Sequence, residues 1–167
     1  MEIKKVLIPG TIGTSAMTIF SYAIAAAKDR RLEEPILLAK LIKPLVKHRY
    51  KNLAHPTGWA MHYTMGCLMT SAFQEYWKQN TTIPTVKDGI ISGAAGGIAG
   101  ILIWKVVFKI ASHTPHISFK RYYGHLLLAH FVFGVTVALT SRLTSPFKTY
   151  KPSKIAEETV AKRHKKP

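Results

Sequence analysis

The sequence predicts an all-α, polytopic membrane protein, and three observations carry that fold class. Four apolar stretches, residues 6–27, 57–77, 89–109 and 122–141, are each long enough to cross a hydrocarbon core of about 30 Å as a helix. Basic connectors separate them, and aromatic residues mark several of their ends, as at a membrane–water boundary. The third stretch carries five glycines, Gly89, Gly93, Gly96, Gly97 and Gly100, within an arc of roughly 100° of a helical wheel.

The first stretch follows the basic start at Lys4 and Lys5. Its polar and small residues Gly10, Gly13, Thr14, Met17 and Ser21 share one face, which marks a side for close packing. Lysines followed by an apolar run also open a secretory signal. This run is longer than a signal core and further spans follow it, so it is read as a span. Residues 28–55 form a basic connector inserted between spans. Within it, apolar and basic residues alternate at helical spacing over about 35–48. An amphipathic helix is expected there, lying in the headgroup region with Lys40, Lys43 and Lys47 reaching anionic lipid and Pro44 breaking its end.

The second stretch is bounded by Trp59 and Trp77, about 27 Å apart on a helix. Its interior is weakly apolar, with His62, Thr64, Gly66, Cys67, Thr70 and Ser71, so it should be enclosed by neighbours rather than ringed by lipid. Glu75 is placed to pair with Lys78, and Asp88 to cap the third span. In that span a Gly-lined face lets another backbone approach, the small-xxx-small mode of packing in membranes. Gly66 and Gly134 are expected to serve the same end in the second and fourth spans. The fourth stretch opens at Tyr122 and Tyr123 and closes at Arg142. Residues 1–147 are thus one transmembrane domain, and 148–167 a basic tail expected to be disordered.

The chain of 167 residues carries 24 Lys and Arg against 8 Asp and Glu, a formal charge of +16. Beside spanning segments, such charge points to anionic headgroups rather than nucleic acid. Four spans put both termini on one side. Lys and Arg divide equally between the two sides, and the cytoplasmic side is preferred for the termini because some charges opposite belong to helix ends. Cys67 is the single cysteine, so no intrachain disulfide forms.

His62 and Gly66 repeat as His130 and Gly134, each as His-aromatic-x-x-Gly. Gly10, Gly13 and Ala16 repeat as Gly93, Gly96 and Ala99. The repeats suggest a duplicated helical hairpin, whose geometry would bring His62 and His130 to the same half of the membrane. His125 lies about 140° around the helix from His130 and cannot join the same ligand set, and His113 and His116 read as a loop pair. Intramembrane histidines raise functional readings: two imidazoles for haem b, a quinone or proton site, or a soft-metal site in which His62 joins Met61, Met65 and Met69. The plainer reading is that the imidazoles bond helix carbonyls and the methionines pack. No hydrolase, nucleotide-binding or metalloprotease motif is present. The expected function is therefore a non-enzymatic accessory or structural subunit, in a homo-oligomer or with other membrane subunits. A haem- or quinone-linked redox protein and a small transporter are the alternatives.

The motif from Gly10 to Met17, Pro35 just beyond the first span, and His130 with Gly134 resemble uncharacterised bacterial inner-membrane proteins of the YagU-like kind. Over residues 5–143 that resemblance implies a small multi-pass protein of a bacterial inner membrane, with no catalytic residues to carry over. The long basic connector departs from it.

Overall fold

The computed structural model describes residues 3–28, 34–44, 48–80, 83–111 and 118–144. Among them are five α-helices and no strand: α1 (Ile3–Lys28), α2 (Glu34–Ile42), α3 (Ala54–Asn80), α4 (Val86–Ile110) and α5 (Phe119–Thr144), with a 3₁₀ turn at His48–Leu53. Each long helix contains one expected span and overruns it by at most three residues. The tail from 145 onward, Lys47, His113 and His116 lie outside the described residues.

Three helices, α1, α4 and α5, are long and apolar enough to cross a membrane. The expected fourth span, α3, is as long, but its composition is less apolar. Several of its polar groups face inward: His62 and Thr70 are buried and Gln74 is partly buried. Between residues 60 and 72 its outward face is Ala60, Met61, Thr64, Met65, Leu68 and Ala72, without a charge.

The four long helices form an antiparallel, up-down bundle. Gln74 of α3 donates to the Lys5 carbonyl of α1, while Tyr22 of α1 stacks on Trp59 of α3. Gly89 faces Gly134, and Gly97 faces Leu127, so α4 and α5 also run oppositely. Helix α5 is the hub, packed against both α1 and α4. The five glycines of α4 are all buried, with Gly89, Gly93 and Gly97 pressed on the backbone of α5. On α1 the expected face of Gly10, Gly13, Thr14, Met17 and Ser21 is buried throughout. Gly10 meets Cys67 and Gly13 meets Phe133 and Val137.

Several polar groups within this apolar bundle meet close partners, because an unpaired group away from water costs about 1–3 kcal/mol by mutational measures; the buried hydroxyls of Thr70 and Tyr122 have no hydrogen-bond partner among the described residues. Thr14 and Thr18 donate to carbonyls one turn back, both at 2.7 Å. Between helices, His125 bonds Ser21, Trp77 donates to Ser92 and Gln74 donates to Ser141. In membranes each such interhelical bond contributes about 0.6 kcal/mol.

Two expectations are corrected. The connector helix is shorter than 35–48: α2 ends at Ile42, just before Pro44, whose ring disfavours helix in the preceding residue. It also lies against the bundle, burying Glu34, Pro35, Leu37 and Ala39, with Lys40 turned outward and Lys43 exposed just beyond its end. Its backbone sits on Gly58 of α3, where an added Cβ would come within 2.5 Å of the Pro35 carbonyl oxygen. Leu37 packs with Trp104, Phe108, Tyr122 and Leu126 at the ends of α4 and α5. The cap of α4 is Thr85, not Asp88. Thr85 and Asp88 form a reciprocal capping box, with Asp88 at the third helical position.

Candidate functional site

Helices α3 and α4 touch closely near one end of the bundle only. There Trp77 reaches Ser92 at 3.0 Å and Phe73 abuts Gly96. These large rings fix the contact, and beyond them the two helices leave a gap. Within it lies a cavity of about 170 Å³, bounded by all five helices. Thr14 and Met17 line it from α1, Glu34 and Leu38 from α2, Gly100 and Trp104 from α4, and Leu126 and Phe133 from α5. Its outer lip is half-exposed apolar side chain: Met61, Met65 and Ile103 are 47%, 42% and 44% exposed.

The two histidines singled out by the repeat both line this cavity and both are buried. His130 Nδ1 lies 2.8 Å from the Leu126 carbonyl, which only accepts, so this nitrogen carries the proton and donates. Nε2 is then left with its lone pair. It faces Gly100, where an added Cβ would stand 3.3 Å away. His62 Nε2 lies 3.0 Å from the Thr18 hydroxyl. That hydroxyl spends its own proton on the Thr14 carbonyl, so His62 donates through Nε2 and keeps its lone pair on Nδ1. The two imidazoles thus hold opposite tautomers. Each ring's N–H is committed to the protein, and its other nitrogen remains an acceptor.

His125 is turned elsewhere, bonding Ser21 and stacking on Phe20, so it stays apart from this pair. Met61, Met65 and Met69 line the cavity beside His62, the two outer thioethers at its lip. Among the described residues no three of His, Cys, Asp and Glu gather as a metal site. A haem does not fit: the cavity is smaller than the roughly 300–1,000 Å³ of pockets for drug-sized ligands, and His62 Nε2 is already bonded to Thr18.

Sequence reasoning missed Glu34, which α2 carries to the cavity's end, and Thr18, which sets the His62 tautomer. Thr18 carried a usable signal, lying one helical turn beyond Thr14 on a face that also holds Gly10 and Ser21. No protein-family model matches the chain, and no match is found among curated proteins or solved structures.

Proposed function

We propose that this chain is a four-span integral membrane protein, with α3 as the fourth span, acting as a non-enzymatic binding module for a lipophilic small molecule. The observation that carries the reading is the apolar cavity between α3 and α4. Its lip of Met61, Met65 and Ile103 belongs to the lipid-facing surface, so a ligand enters sideways from the bilayer. The uncharged outward face of α3 supports the fourth span. Lys40 and Lys43, with Lys105 over the Tyr123 ring at 5.8 Å, lie near the α2 end and suit an anionic headgroup layer. Both termini share the other side, read as cytoplasmic. The apolar outer faces of α1 and α4 suit lipid or further subunits of an assembly.

Matched contacts favour a duplicated hairpin. Gly10 and Gly93 each press on the next long helix in sequence, α3 and α5. Gly13 and Gly96 each meet a helix of the other hairpin. The symmetry breaks where α2 and the cavity separate α3 from α4.

Two experiments test the proposal. In a Cys67→Ala background, cysteines at Leu53 and Lys78 should react with a membrane-impermeant maleimide from opposite sides; labelling from one side removes the fourth span. In a Trp59→Phe background, an alkylbenzene brominated on its ring should quench saturably the emission that Trp104→Phe removes, and Met65→Phe at the lip should weaken this quenching. Quenching that rises linearly with probe, unaffected by Met65→Phe, reflects bulk lipid contact and refutes the site.

A further inference from the structure

The histidines and Thr14 present acceptors to the cavity, and Glu34 stands at its α2 end. His130 offers the Nε2 lone pair and His62 the Nδ1 lone pair, because their N–H groups are held by Leu126 and Thr18. Thr14 donates its hydroxyl proton to the Gly10 carbonyl, leaving only oxygen lone pairs. Neither acceptor nitrogen takes part in the hydrogen bonds that fix the two rings. Both are polar atoms on buried side chains lining one hollow, where an unmade hydrogen bond is costly. The indole N–H of Trp104 is a donor among the lining side chains, but its ring belongs to the aromatic cluster of Phe108 and Tyr122 at the α2 end.

Size narrows the ligand further. A dry apolar cavity of about 150 Å³ accommodates one benzene, so about 170 Å³ holds a single six-membered ring. The rest of a lipophilic ligand must leave through the lip between Met61, Met65 and Ile103 into the bilayer.

We propose that the ligand is a single-ring hydroquinone bearing an alkyl or isoprenoid tail, bound through hydroxyl protons donated to His130 Nε2 and His62 Nδ1. This rests on the cavity being a lipophilic site and names the chemistry of its occupant. The corresponding quinone has only carbonyl acceptors, which would face lone pairs on both imidazoles. The site therefore selects the reduced ring. Gly100 is part of the selectivity, since its missing side chain leaves Nε2 uncovered.

The test compares three probes with the same tail on the full chain in nanodiscs: decylhydroquinone kept reduced, decylbenzoquinone and decylbenzene. Binding is read by calorimetry. Decylhydroquinone should bind at least tenfold more tightly than either of the others. His130→Ala should remove that preference. So should Gly100→Ala, which keeps both imidazoles but sets a methyl against Nε2. The probe comparison on the unaltered chain needs no variant to fold. Decylbenzoquinone binding as tightly as decylhydroquinone, with decylbenzene also bound, overturns the donor assignment and leaves the lipophilic site standing. No saturable binding of any of the three to folded protein overturns both.

Discussion

Replacing Gly134 by Ala tests the contact that holds α4 on α5. A Cβ there would meet the Gly89 carbonyl and would stand 2.7 Å from both the N and the Cα of Gly93. Ordinary carbon contacts lie at about 3.5–4.0 Å, so the two backbones must part by about 1 Å. None of these atoms is the end of a flexible side chain that could swing aside. Overpacking of this kind costs about 1–3 kcal/mol, and the lost contact runs along a seam that Gly89, Gly93 and Gly97 share. Gly124 lies on the same helix with nothing within 4 Å of the corresponding position. There Ala keeps its helical advantage of up to about 1 kcal/mol over Gly. Thermal unfolding in detergent, followed by far-ultraviolet circular dichroism, should show Gly134→Ala lowered by about 4–8 °C for a loss of about 2 kcal/mol. Gly124→Ala should be unchanged or raised. Equal melting temperatures for the two variants would refute backbone-to-backbone packing at α4 and α5.

Other substitutions test separate contacts. Thr18→Val keeps the side chain's shape but strands the His62 Nε2–H, and should cost about 1–3 kcal/mol in the same melting assay. Asp88→Ala removes one half of the capping box and should cost about 1 kcal/mol, with amide exchange accelerated in the first turn of α4. Glu75→Ala removes an exposed pair at 3.6 Å from Lys78 and should change stability by less than about 0.5 kcal/mol. A larger change would assign Glu75 a role beyond that pair.

The long helices were legible because run length, flanking charge and aromatic belts are local properties of a chain near a membrane. The glycine face was legible for a similar reason, since a 3.6-residue period needs no partner to be seen. What that face packs against was not. Glycines in α4 drew attention to α4, yet α5 is the hub, because its small and aromatic residues serve two neighbours at once. His62 and His130 were placed in the same half by chain direction alone, and they do line one cavity. The cavity itself depends on where α3 and α4 diverge. That is set by Trp77 and Phe73 at one end and by α2 at the other, a three-body arrangement with no periodic signature. That protein covers the apolar side of α2 was not legible, because an amphipathic nine-residue helix looks alike whether lipid or protein covers that side. The Thr85 cap was readable in Thr85-x-x-Asp88 and was lost by taking the acidic residue for the cap.

The central claim is that His62 and His130 are neutral rings in opposite tautomers with their acceptor nitrogens unoccupied. Nitrogen-15 NMR of ring-labelled histidine, assigned through His62→Gln and His130→Gln, reads this directly. The expected spectrum of the ligand-free protein at neutral pH shows His130 protonated at Nδ1 alone and His62 at Nε2 alone, with His130 Nε2 and His62 Nδ1 both giving the shift of an unprotonated nitrogen. A proton on His130 Nε2, or a doubly protonated ring at either position, would contradict the claim.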